Sequence, residues 1–141
     1  MISDVFATMF FLFPELCEYD NEIPPMPETC YLASIPINDA CWLFMLMGSA
    51  KLAENMAYNF MGQDQPPNDA EVIDVFKEAA NVVAGNLLTR IPGCKGSLGI
   101  PRVGKAKSVR PARLDGSEGA MVFNVDGEFC MVILKDGSRG K

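Results

Sequence analysis

Hydrophobic and polar residues follow two different periods along this chain, and each period predicts a different kind of element. Apolar residues occupy nearly every position of residues 2–13, which predicts a helix packed against a sheet. Two strand-like runs follow at residues 31–37 and 41–47, with the turn signal Asn38-Asp39 between them. Together these runs predict an antiparallel hairpin.

Two further segments repeat their apolar positions at helical spacing. Residues 50–61 predict a helix of about three turns, and residues 69–91 predict a longer one. Asn68 or Asp69 suits the N-cap of the longer helix, because a short polar side chain there can accept a bond from a free backbone N–H. Pro92 and the glycine after it are expected to end that helix.

The C-terminal third of the chain returns to strand-like patterns. Residues 98–103 are extended in character, and residues 120–124 and 128–134 flank the turn signal Asp126-Gly127. This is a strong signal for a second hairpin. The polar residues 135–141 predict a flexible tail.

The predicted order is a helix, two strands, two helices and then about three strands. Helices and strands grouped in this way predict a single α/β (α+β) domain spanning residues 1–141, with long helices packed on an antiparallel-rich sheet. No apolar run reaches the roughly 18 residues that a membrane span requires, so we expect no membrane insertion. The apolar start has no preceding cation and is interrupted by acids, which favours a buried or amphipathic helix over a secretion signal.

Composition restricts the chemistry that such a domain can perform. The chain has no histidine, so Ser-His-Asp and Cys-His catalysis are excluded. Its five cysteines are odd in number and show no CxxC spacing, which favours reduced thiols over a disulfide framework or a zinc site. We therefore predict no metal site and a cytoplasmic protein, whose chemistry would use carboxylates, amides, lysines or a metal brought by a partner.

Positive charge is concentrated in one segment of an otherwise acidic chain. Residues 90–113 contain seven of the twelve cations and no acid, whereas the whole chain has a net charge of −6. Nucleic-acid binding is one explanation, but the segment has no interleaved aromatic residues. A solvated strand-and-loop face fits better, and a docking surface for an acidic protein is a further alternative. Within this segment, residues 99–106 nearly match a Walker A loop, but Ala106 replaces the Ser/Thr that would bind magnesium.

The long helix contains a polar stripe that a simple solvated face does not explain. Asp74, Glu78, Asn81 and Gly85 are spaced by four, three and four residues, so they lie along one side of the helix. Asn competes for backbone hydrogen bonds in helix interiors, and Gly costs about 1 kcal/mol relative to Ala there. The unfavourable residues suggest a working surface, with the Gly allowing another surface to approach the backbone.

A carboxylate and an amide on neighbouring helical turns suit a reaction that needs positioning more than a strong base. An amide can donate and accept hydrogen bonds at once, so it can orient a water for in-line attack on a phosphoryl group. A carboxylate one turn away can pair with a lysine of the partner. An acyl phosphate is already reactive and fits this simple apparatus.

The segment from Asp74 to Asn86 resembles the acidic-x3-Glu-x2-Asn signature of the CheC/CheX/FliY phosphatases. These proteins remove the aspartyl phosphate from the chemotaxis response regulator CheY. The family often continues with Gly-Asn, as Gly85 and Asn86 do here, and then with a proline, which Pro101 matches at a shorter gap than usual. The order of elements is also similar over most of the chain, most closely to the short CheX-like members.

By this resemblance, Asn81 would orient the attacking water and Glu78 would pair with the active-site lysine of the regulator. Asp74 takes the first acidic position of the motif and would support the other two. The first helix has Ala7 and Phe10 where a second Glu and Asn would stand, so the resemblance implies one site and not two.

The resemblance also implies partners. We expect a phosphorylated CheY-like receiver domain as substrate, with Mg²⁺ held by that partner and no cofactor in this chain, and a homodimer as the assembly. The alternative is a non-catalytic CheX-like dimeric domain that binds receivers or other signalling proteins without turnover. An intact stripe is necessary for activity and does not by itself distinguish the two.

Overall fold

The computed structural model describes residues 12, 14–38, 42–62, 65–90, 97–107 and 119–136. The helix predicted over residues 2–13 lies outside these residues except for Leu12, which is buried in the core. The positions Ala7 and Phe10, on which the single-site expectation rests, also lie outside the described residues. In the described part, no helix is both long enough and apolar enough to cross a membrane.

Seven strands form one sheet in which every described pairing is antiparallel. The strands are β1 (Pro14–Leu16), β2 (Thr29–Asn38), β3 (Trp42–Ser49), β4 (Ser97–Leu98), β5 (Arg102–Lys107), β6 (Ala120–Val125) and β7 (Glu128–Asp136). Their order is β1-β6-β7-β3-β2, and β4 and β5 both pair with β2 at the far edge. Both predicted hairpins are present, since β2 pairs with β3 and β6 with β7.

Two helices, α1 (Ala50–Met61) and α2 (Asp69–Leu88), pack on one face of this sheet and on each other. The Phe76 ring of α2 lies 6.1 Å from the Tyr31 ring of β2, measured between centroids. On α1, Leu52 and Met56 are fully buried, whereas Phe60 is 47% exposed. The structure thus confirms an α+β fold with helices on an antiparallel sheet.

The opposite face of the sheet has a smaller apolar cluster of its own. Phe129 and Met131 of β7 are buried there together with Cys17 and Cys30, and Met26 packs against them. Three described cysteines, Cys17, Cys30 and Cys130, are buried and form no disulfide bond with one another. Burial raises the pKa of Cys130 to about 12, so this thiol stays protonated and behaves as a small apolar side chain.

The structure differs from the sequence-based boundaries at four places. Helix α2 ends at Leu88, about three residues before the predicted end. Strand β7 continues to Asp136, inside the segment predicted to be a tail, because its residues 130–136 pair with β3. The predicted segment 98–103 is two strands, β4 and β5, with a break between them. Strand β1 was not predicted at all.

Ser49 is the residue that fixes the start of α1 against the sheet. Its side chain accepts a hydrogen bond from the Leu52 backbone N–H at 3.0 Å, and its hydroxyl donates to a carboxylate oxygen of Glu128 at 2.7 Å. Ser49 is only 4% exposed, so water does not easily replace either bond. One buried hydroxyl therefore caps a helix and ties it to β7.

We predict that Ser49→Ala lowers the free energy of unfolding by about 1–2 kcal/mol, because it removes the cap. Denaturant unfolding followed by circular dichroism measures this loss. Ser34→Ala is the matched control, since Ser34 lies on the neighbouring strand β2 and caps no helix. Equal stability of the Ser49→Ala variant and the wild type would contradict the role assigned to Ser49.

Candidate functional site

Helix α2 begins with a capping box that sets its first turn. The Asn68 side chain accepts a hydrogen bond from the Glu71 backbone N–H at 2.8 Å, and the Glu71 carboxylate accepts one from the Asn68 backbone N–H at 3.0 Å. Of the two N-cap candidates, the structure selects Asn68. Reciprocal caps of this kind satisfy two of the four free N–H groups at a helix start.

The apolar face of α2 determines which way its polar stripe points. Seven residues of the helix are buried against the sheet and α1: Val72, Val75, Phe76, Ala79, Ala80, Val83 and Ala84. At 100° per residue this face lies opposite the stripe, so burying it turns the stripe away from the core. Ile73 and Leu87 lie at the margin of this face, where they are partly buried and packed against the core.

The three residues with predicted chemical roles are all accessible. Asp74 and Glu78 are exposed, and Asn81 is half-buried. Residues three or four positions apart on a helix have Cβ atoms roughly 5–6 Å apart, so Glu78 lies within reach of both neighbours in the stripe. Burial of Asn81 in the core would have excluded contact with a partner, and the structure does not place it there.

The polar groups of the stripe are not engaged with the rest of the described chain. No hydrogen bond or ion pair to another described residue holds the carboxylates of Asp74 and Glu78 or the amide of Asn81. In the same part of the chain, no group of three or more carboxylate or cysteine side chains is arranged to hold a metal ion. The stripe therefore offers hydrogen-bonding groups that are available to a second molecule.

Gly85 and Asn86 differ in their surroundings. A Cβ atom on Gly85 would lie 4.0 Å from a methyl group of Leu98 in β4, which is ordinary van der Waals contact. The neighbour of this glycine is thus strand β4 of the same chain, and β4 does not approach the helix closely enough to require a glycine there. The Asn86 amide donates to the Val82 carbonyl at 2.8 Å, so it is tied back to its own helix.

Pro101 lies in the break between β4 and β5 and is half-buried. The strands on either side of it contact α2. The structure therefore brings the segment that contains Pro101 to the flank of the same helix, while Pro101 is not part of the stripe. The near-Walker residues 99–106 run into β5, and Lys105 lies in a strand instead of the loop that a nucleotide site requires.

Sequence reasoning grouped Lys105 and Lys107 with a basic segment and gave them no role. In β5 the two lysines share one face of the strand with Val103, because alternate residues of a strand point to the same side. Val103 is opposite the buried Ala33 of β2. Their side chains therefore lie on the sheet face that α2 covers. The alternation was visible in the sequence, but the position of the strand beside α2 was not.

Fold and site together define a class of protein: an α+β domain that presents a carboxylate and an amide on the outer side of one helix. A family described as "Chemotaxis phosphatase CheX" matches residues 32–126 of the chain. The match covers most of the chain and includes the whole stripe. The chain belongs to this family. A comparison with curated protein sequences gave no significant match.

Solved structures show that this fold recurs in other proteins. A chemotaxis protein CheX from Vibrio vulnificus is 19% identical with a TM-score of 0.66, covering 95% of this chain and 91% of that one. A CheX from Desulfovibrio desulfuricans is 15% identical with a TM-score of 0.67, covering 95% and 92%. A CheX-CheY-BeF3-Mg+2 complex from Borrelia burgdorferi matches at 11% identity and a TM-score of 0.58, covering 95% and 92%.

We predict that Gly85→Ala raises the free energy of unfolding by about 0.5–1 kcal/mol. Alanine has the higher helix propensity, and its Cβ atom meets Leu98 at an ordinary distance. Denaturant unfolding of the two proteins measures the difference. A less stable variant would show that the glycine is required for packing within the chain.

Proposed function

We propose that this chain hydrolyses the aspartyl phosphate of a CheY-like receiver domain, with Asn81 orienting the water and Glu78 binding the partner's active-site lysine. The observation that carries the proposal is the stripe itself. Its amide and carboxylates are accessible, unengaged by other described residues, and carried by a helix with seven buried residues. Family membership and the similarity to a CheX solved with CheY support the choice of partner.

The reaction needs a water held in line with the bond that breaks. The water oxygen bonds to phosphorus while the bond from phosphorus to the aspartate oxygen breaks, which yields a free carboxylate and inorganic phosphate carrying the water's protons. The Asn81 carbonyl accepts a hydrogen bond from that water, and its NH₂ group donates to a phosphoryl oxygen. An acyl phosphate has a good leaving group, so positioning supplies most of the acceleration.

Glu78 and Asp74 act on docking and not on the chemical step. Glu78 is exposed one turn before Asn81, so an ion pair between its carboxylate and the receiver's lysine would fix the register of the two proteins. Asp74 extends the same acidic surface by one further turn. Mg²⁺ would be bound by the receiver and would neutralise charge on the phosphoryl group.

Four supporting features of the proposal stay predictions. Gly85 has no side chain, so the partner can approach the helix backbone at that position. Asn86 and Pro101 occupy the positions that follow the catalytic Asn in the family. Homodimerisation is also expected from the family. None of these is needed for the two primary roles.

We predict that Asn81→Ala lowers the catalysed rate of phosphate loss by on the order of 10²-fold, because the water is no longer oriented. The assay follows phosphate release from CheY receiver domains phosphorylated with acetyl phosphate in Mg²⁺, beginning with that of Borrelia burgdorferi. Asn55→Ala, an amide on the neighbouring helix α1, is the matched control. Equal acceleration by wild type and Asn81→Ala would disprove the mechanism.

We predict that Glu78→Gln raises KM by about tenfold and changes kcat much less, since it removes one charge of a docking pair. Glu54→Gln on α1 removes an exposed carboxylate outside the stripe and serves as control. Binding of the receiver without faster phosphate loss, and without any effect of Glu78→Gln, would instead identify a non-catalytic interaction domain.

A further inference from the structure

The edge of the sheet carries positive charge on the strand that contacts α2, the helix that bears the acidic stripe. Strand β5 pairs only with β2 in the described structure, with Lys105 opposite Tyr31 and Lys107 opposite Thr29. Both lysines are exposed. We call Lys105 and Lys107 the lysine pair. They are two residues apart on a strand, so both side chains project on the face that supports the helices.

Contacts at two points place the sheet edge formed by β4 and β5 along the flank of α2. At one end, the Lys105 Nζ lies 5.8 Å from the centroid of the buried Tyr31 ring, and the same ring contacts Phe76 of α2. At the other end, Leu98 of β4 packs beside Gly85. The basic strand thus runs antiparallel to the helix, with Lys105 beside the part of α2 that carries Asp74 and Glu78.

The lysine pair is not neutralised within the described chain. No described carboxylate forms an ion pair with Lys105 or Lys107, although the acids of α2 lie on the adjacent element. Among the described residues, the Lys105 ammonium group makes a cation–π contact with the Tyr31 ring and no ion pair. Two sets of opposite charge therefore lie exposed on neighbouring elements, β5 and α2, where each can attract a different part of a partner.

The acidic stripe would repel a phosphorylated partner, and the lysine pair would offset this repulsion. The phosphoryl group is an anion, and the stripe that must approach it contains the carboxylates of Asp74 and Glu78. Those carboxylates repel it at close range, even where one of them pairs with a lysine of the partner. Cations on the adjoining strand offset this repulsion and attract the carboxylates that surround an aspartyl phosphate.

We infer that the lysine pair is a docking element that binds the anionic rim of the phosphorylated receiver and accelerates its association with the stripe. This inference rests on the proposed function, since it takes the same partner at the same helix. It adds a second contact of opposite sign, so the partner is recognised by a lysine that meets Glu78 and by acids that meet β5.

The test measures affinity and salt dependence separately from turnover. Binding of the wild type and the double variant Lys105→Gln/Lys107→Gln to a CheY receiver activated with beryllofluoride and Mg²⁺ is followed at low and high ionic strength. We expect Kd to rise by about 3- to 10-fold at low salt, mainly through the association rate, and the difference to shrink at high salt. In the phosphatase assay KM should rise while kcat stays the same.

Matched variants separate a local effect from net charge and from stability. Lys135→Gln on β7 removes one exposed lysine from the opposite face of the sheet and should leave Kd unchanged. Lys107→Gln alone tests the pair without disturbing the contact between Lys105 and Tyr31. The Lys105→Arg/Lys107→Arg variant retains the charge and should restore binding. An equal effect of Lys135→Gln and Lys107→Gln would overturn the inference.

Failure of the inference and failure of the proposed function give different results. If the wild type speeds phosphate loss but the double variant has the same KM and salt dependence, the lysine pair has no docking role and the proposed function stands. If the wild type binds the beryllofluoride receiver, loses affinity in the double variant and does not speed phosphate loss, the docking role stands and the proposed function fails. If the wild type neither binds nor accelerates, both fail.

Discussion

The packing of α2 onto the sheet is the constraint on which the site depends. Seven buried residues along its inner side, six of them Ala or Val, let the helix pack close to β2 and α1. A fully buried Phe76 against Tyr31 fixes its position along the strand, and burial of such a ring contributes about 1.5–3 kcal/mol. Once this face is buried, the helix can neither rotate nor slide, and the direction of Glu78 and Asn81 is set.

A rigid helix is well suited to chemistry by positioning. The chain has no histidine, and the polar atoms of its stripe have no described partners that would tune them. What the protein can supply is two hydrogen-bonding groups held one turn apart, and a side chain on a packed helix is held more precisely than one on a loop. The reacting atoms, the metal and the leaving group would all come from the partner, which limits the demand on this chain to geometry.

The distribution of charge on the surface also affects how an anionic partner would approach the site. An acidic chain of net charge −6 would repel an anionic partner over most of its surface. The exposed lysines of β5 interrupt the acidic surface at the edge strand beside α2. Complementary charges mainly affect the rate and orientation of encounter, so in our proposal the sheet edge serves association and the helix serves the reaction.

The sequence alone determined the elements and the candidate residues. Helical spacing predicted α1 and α2, the turn signal at Asp126-Gly127 predicted the second hairpin, and the Asn and Gly placed unfavourably in α2 identified the stripe. These are local properties, because periodicity, caps and turns depend on neighbouring residues. The same local signals missed β1, whose three residues form a strand only because β6 offers them a partner.

Only the tertiary structure decided what lies next to the stripe. The pairing of β5 with β2 brings Lys105 beside a helix that ended 17 residues earlier in the chain, at Leu88. The pairing of β4 with β2 brings Leu98 beside Gly85. Such contacts join residues distant in sequence, and they follow from which strand occupies the sheet edge. The stripe could therefore be found from spacing, whereas its basic flank required the folded chain.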